Sequence, residues 1–206
     1  MTRLYLIGYR CTGKTSVGRE LSRRLGWAFA DTDAILVEDL GMSITQMVEA
    51  LGWAGFREAE REVLARISRE PTDPRLERPP RFPKLWKPRR SLERINREPT
   101  APRLGMVVAT GGGVVLDPEN VRRMRETGRA VWLRATPETI RQRMAGDAAT
   151  EGQRPPLTGG AADDEIERVL ADRTPQYAEA ADLTVDTDNA DPDGIVRRLI
   201  GWIEGD

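Results

Sequence analysis

Gly8-Tyr9-Arg10-Cys11-Thr12-Gly13-Lys14-Thr15 matches the pattern GxxxxGK[ST]. In this pattern the glycines let the backbone turn tightly, so that successive N–H groups converge on phosphate oxygens at the positive end of the next helix. Its lysine bridges the β- and γ-phosphates of a nucleotide, and its hydroxyl residue holds Mg²⁺. The flanks suit that reading. An apolar run at residues 4–8 precedes the motif and reads as a strand, while Val17, Leu21 and Leu25 follow at four-residue spacing and mark the buried face of a helix. Strand, phosphate loop and helix in that order are the opening of an α/β fold.

The rest of the chain continues the alternation. Short apolar runs at 28–31, 106–110, 130–134 and 183–186 read as further strands. Helical periodicity occupies 44–51, 54–68, 118–126, 137–145, 164–180 and 192–203, with Pro118, Pro137 and Pro192 near helix starts, where a missing N–H costs little. The expected architecture is a P-loop three-layer α/β/α sandwich around a five-stranded parallel sheet, a single domain over residues 1–206.

Composition sets limits. With 39% hydrophobic and 32% charged residues, the chain has the make-up of a soluble domain, and no apolar run approaches the ~20 residues of a membrane span. One cysteine fits a reducing cytoplasm, and the lack of histidine leaves Asp or Glu as the candidates for a proton acceptor. A net charge of −1 gives no reason to expect nucleic-acid binding. Residues 69–103 are foreign to the rest, with eleven Lys/Arg against five Asp/Glu and eight of the fourteen prolines. They contain Arg-Glu-Pro-Thr-Asp-Pro-Arg-Leu at 69–76, echoed by Arg-Glu-Pro-Thr-Ala-Pro-Arg-Leu at 97–104. Two copies are too few for a solenoid, so the segment reads as a surface insertion.

Four patches narrow the acceptor. Asp31-Thr32-Asp33 ends the second strand and puts two carboxylates at the carboxyl edge of the sheet, where ligands of open α/β folds bind. One is suited to positioning Mg²⁺ and the other to taking the acceptor's hydroxyl proton; an aspartate cap of the next helix is the structural alternative. Arg57 and Glu60 are three apart on one helical face, a spacing that orients an arginine, although surface pairs of this kind contribute little. Gly111, Gly112 and Gly113 follow the third strand and let main chain approach a ligand closely. Gln153-Arg154-Pro155-Pro156-Leu157 and Arg173-Thr174-Pro175-Gln176-Tyr177 complete the set.

In this order the patches GYRCTGKT, DTD, GWAGFREAE, ATGGG, RPPL and RTPQY resemble the shikimate kinases, within the nucleoside monophosphate kinase-like P-loop group. The resemblance covers nearly the whole chain outside 69–103. It implies transfer of phosphate from ATP to the 3-hydroxyl of shikimate, with Mg²⁺, in a cytoplasmic enzyme of aromatic biosynthesis, expected as a monomer. ATP is then held by Arg10, Cys11, Thr12, Gly13, Lys14, Thr15 and Ser16, and by Arg154 on a lid at about 147–160. By the same resemblance Thr15 and Asp31 serve the metal, and Asp33 binds the reacting hydroxyl. Arg57 and Arg173 clamp the carboxylate, and Gly111, Gly112 and Gly113 line the pocket. Two arginines suit a carboxylate because their planar donors bind it bidentately. Asp33, Lys14 and Arg154 are the expected catalytic groups.

Some residues depart from the family pattern: RPPL has an extra proline, and Cys11 replaces a more usual glycine. The loop at 186–192 lacks the arginine some relatives place near adenine. Two alternatives stay open, a related kinase such as gluconokinase and a nucleotide-binding module without catalysis. Nucleic acid or a partner protein on the basic insertion, with its Trp86, is permitted but not indicated. The insertion enters the third strand from its N-terminal end, away from the carboxyl edge. Replacing residues 70–102 by a short linker is therefore expected to leave the acceptor KM unchanged in steady-state kinetics; a large rise would place the segment at the site.

Overall fold

The computed structural model describes residues 2–69, 105–146 and 162–205. Arg154, the lid at 147–160 and nearly all of the insertion lie outside the described residues.

Strand β1 (Thr2–Ile7) is buried at every position after Thr2. An unbroken buried run belongs in the middle of a parallel sheet, covered on both faces. That is where β1 lies. With β2 (Ala28–Asp31), β3 (Gly105–Ala109), β4 (Gly128–Arg134) and β5 (Leu183–Asp186) it forms a sheet of order β2-β3-β1-β4-β5, every neighbouring pair parallel. The five expected strands are present with shifted ends: β1 starts at Thr2 and stops before Gly8, and β4 starts at Gly128.

Among the described residues seven α-helices cover the sheet: α1 (Lys14–Leu25), α2 (Thr32–Leu40), α3 (Ile44–Ser68), α4 (Pro118–Thr127), α5 (Pro137–Ala145), α6 (Ala162–Ala180) and α7 (Pro192–Glu204). Period-two alternation divides the core between two layers. Tyr5, Ile7, Val108 and Trp132 pack with Phe56, Val63 and Leu64 of α3 and with Tyr177 of α6. Leu4, Leu6, Val107 and Val131 pack with Val17 and Leu21 of α1 and with Val196 and Leu199 of α7.

Two helices differ from expectation. Helix α2 was not anticipated, because half of its buried stripe is polar: Thr32, Ile35, Leu36 and Asp39. Asp39 is compensated by Arg66 of α3 at 2.6 Å, a partner distant in sequence. The helices expected at 44–51 and 54–68 run on as α3, bent at Gly52 (φ 68, ψ 171).

The flanks of the insertion stand at the N-terminal edge of the sheet. Arg3 in β1 donates to the carbonyl of Arg69 at 2.7 Å, and Gly105 opens β3 opposite Thr2. The motif residues gather at the other edge. Among the described residues no helix is long and apolar enough to cross a membrane.

The Tyr5 hydroxyl crosses the core to Ser68 Oγ at 3.1 Å and Thr127 Oγ1 at 2.7 Å. Both hydroxyls also donate to carbonyls of their own helices, Leu64 and Arg123, so losing the tyrosine hydroxyl leaves neither without a partner. Tyr5→Phe is therefore expected to cost only about 0.5–1.5 kcal/mol, read from urea unfolding with an unchanged m value.

Candidate active site

The phosphate loop leaves β1 through Gly8 at φ 137, where a β-carbon would lie 2.4 Å from the Leu133 carbonyl oxygen; only glycine fits there. Cys11 (φ 60) is the one described non-glycine residue at positive φ. Gly13 begins α1 without a side-chain cap, leaving the first-turn amides available to an anion. Lys14 Nζ donates to the carbonyls of Gly8 (2.8 Å) and Tyr9 (2.6 Å). Burial lowers its pKa to about 8, against the pull of Asp33, Asp31 and Cys11.

The two aspartates divide their work. Asp31 is the cap of α2, its Oδ1 accepting from the amides of Asp33 and Ala34, both at 3.1 Å. Its other oxygen accepts from Thr15 Oγ1 at 2.7 Å, which ties the strand-two aspartate to the phosphate loop. Asp33 stands in the first turn of α2 and lines the cleft, with Oδ1 unpartnered among the described residues. Burial, Glu60 and Asp31 push its pKa up to about 7, outweighing Lys14 and Arg57.

Across the cleft, α3 presents Trp53, Phe56, Arg57 and Glu60 at i, i+3, i+4 and i+7. Arg57 Nη1 donates to Glu60 Oε2 at 2.7 Å, and its guanidinium lies 5.4 and 5.2 Å from the ring centres of Trp53 and Phe56. Glu60 is 1% exposed, so this is not the weak surface pair its spacing alone would suggest. Burial raises the Glu60 pKa and the Arg57 ion pair opposes it.

The glycine loop after β3 fits between these groups. A β-carbon on Gly111 would lie 2.3 Å from Glu60 Oε1 and 2.9 Å from Asp33 Oδ1. One on Gly113 would lie 2.2 Å from Arg57 Nη1, so a larger residue at either position would displace these side chains. Arg173 of α6 is 8% exposed and donates to the Gly112 carbonyl at 3.1 Å.

One cleft of about 710 Å³ is lined by Lys14, Thr15, Asp31, Asp33, Arg57 and Arg173, together with Arg10, Cys11, Gly13, Ser16 and the three glycines. Among the described residues of the predicted set Thr12 is the exception, buried under the loop with its hydroxyl on the Tyr9 carbonyl at 2.8 Å. The guanidinium of Arg10 is engaged by Glu165 of α6. Sequence reading did not assign Trp53, Phe56, Val37 and Ile44 to the cleft, where they make an apolar wall. It also missed Arg143 of α5, which donates to the Cys11 carbonyl at 3.3 Å and to Thr187 Oγ1 at 3.1 Å. The loop lacking an arginine of its own is thus met by one from a neighbouring helix.

The family model for shikimate kinase matches residues 10–73 and 89–204, leaving 74–88 within the basic segment unmatched. A shikimate kinase of Nitratidesulfovibrio vulgaris is 38% identical over 179 residues, 87% of this chain and 83% of its own. The structure of a shikimate kinase from Acinetobacter baumannii in complex with shikimate superposes with a TM-score of 0.76 at 25% identity, covering 99% of this chain and 93% of that one. A gluconokinase from Sinorhizobium meliloti reaches a TM-score of 0.51 at 16% identity, covering 100% of this chain and 98% of its own, a likeness of fold alone. The matched residues span most of the sequence on both sides of the insertion, and on that ground the chain belongs to the shikimate kinase family, transferases that phosphorylate shikimate with ATP.

Proposed function

We propose that shikimate binds with its carboxylate between Arg57 and Arg173 and its 3-hydroxyl on Asp33, facing the γ-phosphate of ATP held by the phosphate loop. One observation carries this reading: Lys14, Asp33, Arg57 and Arg173, from four separate elements, line a single cleft. The Acinetobacter relative was solved with shikimate, which supports the same acceptor here. Gluconate is the alternative acid, favoured only by likeness of fold.

Phosphoryl transfer demands alignment and charge neutralisation more than covalent help. The acceptor oxygen bonds to the γ-phosphorus as the bridge to the β-phosphate breaks, and the hydroxyl proton passes to Asp33. A carboxyl whose pKa is raised by burial and by two neighbouring carboxylates holds that proton better than an exposed aspartate would. Lys14 and the loop amides meet the phosphate charge, and Arg154 of the lid completes the set by resemblance. Thr15 and Asp31, oxygen donors in contact at 2.7 Å, fit a hard cation that takes few protein ligands and keeps its place on substrate phosphates. These two residues would hold Mg²⁺, which would supply positive charge against the phosphates of ATP.

ADP release coupled to NADH oxidation, with shikimate and gluconate in parallel, tests the assignment: turnover is expected with shikimate, and turnover with gluconate alone would remove it. Asp33→Asn keeps the shape and removes the proton acceptor, so kcat is expected to fall about 10²- to 10⁴-fold while ATP binding, followed by calorimetry, persists. Arg57→Lys replaces a planar fork by a point charge; the acceptor KM is expected to rise about 10- to 100-fold, with the ATP KM unchanged.

A further inference from the structure

We propose that Tyr177 is a positioning residue for phosphoryl transfer: its buried hydroxyl, with Arg173, holds the Gly112 carbonyl and so orients the peptide between Gly112 and Gly113. The inference rests on the assignment of this glycine loop to the acceptor pocket.

Helix α6 carries Glu165, Val169, Arg173 and Tyr177 at four-residue intervals, one stripe, all buried. The stripe meets the site at two places. Glu165 pairs with Arg10 of the phosphate loop, while Arg173 and Tyr177 both donate to one oxygen, that of Gly112. A carbonyl oxygen has two acceptor sites, and here each has a donor from α6. Tyr177 itself has no freedom to wander: it is 0% exposed, and its ring stacks on Trp132 with centres 5.7 Å apart and planes at 23°. Burial pushes its pKa up to about 12, so the hydroxyl remains a donor.

Three successive glycines have little stiffness of their own, and the loop must take its shape from anchors. One end is tied by the Gly111 amide on Thr32 Oγ1 at 2.9 Å, and the exit by the Leu116 amide on the Gly113 carbonyl at 3.0 Å. Between them, Gly112 approaches the phosphate-loop backbone: its β-carbon position lies 3.4 Å from the Arg10 nitrogen and 3.5 Å from the Gly8 oxygen. Gly113 touches Arg57. The carbonyl of a trans peptide points opposite to the following N–H, so an oxygen held on α6 turns the Gly113 amide away from that helix. Without the tyrosine hydroxyl, Arg173 would be the sole side-chain anchor of that oxygen while also serving the acceptor.

Tyr177→Phe keeps the stacked ring and removes the hydroxyl. The expected result is a kcat/KM for shikimate roughly three- to tenfold lower, the size of one hydrogen bond, carried by a higher acceptor KM with the ATP KM unchanged. Tyr5→Phe, which loses a buried hydroxyl at the far edge of the sheet, is the control and is expected to leave both KM values alone. An unchanged acceptor KM in Tyr177→Phe, or an equal rise in Tyr5→Phe, would overturn the positioning role. Lack of wild-type turnover with shikimate would instead overturn the acceptor assignment beneath it. Should Tyr177→Phe not fold, Trp132→Phe loosens the same ring without removing the hydroxyl. A selective rise in acceptor KM is then expected, and none would overturn the proposal.

Discussion

Two carboxyl groups share one corner of the cleft, and its architecture follows from the need to keep them there. Asp33 and Glu60 each turn an oxygen that is unpartnered among the described residues toward the same face of Gly111. Burial raises both pKa values, and at Asp33 the charge of neighbouring Glu60 adds to it. Compensation comes from Arg57, fixed to Glu60 and flanked by Trp53 and Phe56, and from Lys14 across the cleft. The stripe of α3 that carries Arg57 and Glu60, the side-chain-free loop after β3 and the phosphate loop are thus mutually dependent. Any residue larger than glycine at 111 or 113 would enter space held by these charges.

The sheet explains how four distant segments meet. Parallel strands deliver their carboxyl ends to one edge, so the loops after β1, β2 and β3 open side by side. Helix α6 braces this edge from the third layer. Its stripe reaches the phosphate loop through Glu165 and the glycine loop through Arg173 and Tyr177, joining the two loops through one helix. At the opposite edge the buried guanidinium of Arg3 donates to the carbonyls of Ile67 (2.8 Å) and Arg69 (2.7 Å). It thereby fixes the end of α3 where the basic segment departs. Chemistry and insertion are attached to opposite ends of the same strands.

Much of this could be read from local pattern. The phosphate loop between an apolar run and an amphipathic helix announced the α/β class, and the ordered patches carried the family. Helix α2 escaped because Thr32 and Asp39 interrupt its stripe, and the reason they are tolerated, Thr32 on the Gly111 amide and Asp39 on Arg66, lies in other segments. Asp31 and Asp33 both line the cleft, and by pattern alone they are simply two carboxylates; only the backbone path makes Asp31 a helix cap tied to Thr15. Glu60, three residues from Arg57, had the spacing of a solvated pair, and its burial depends on what α3 packs against.

What the amino-acid sequence determined alone was whatever short-range chemistry dictates: strand and helix periods, the glycine turn around a phosphate, proline at helix starts and glycine where main chain comes close. Tertiary structure decided the charges. Whether a carboxylate is solvated or confined, which of two aspartates keeps an oxygen unpartnered among the described residues, and that Tyr177 reaches a carbonyl 65 residues away are consequences of which surfaces are removed from water together. Electrostatic energy depends on that shared environment, and no local window of sequence contains it.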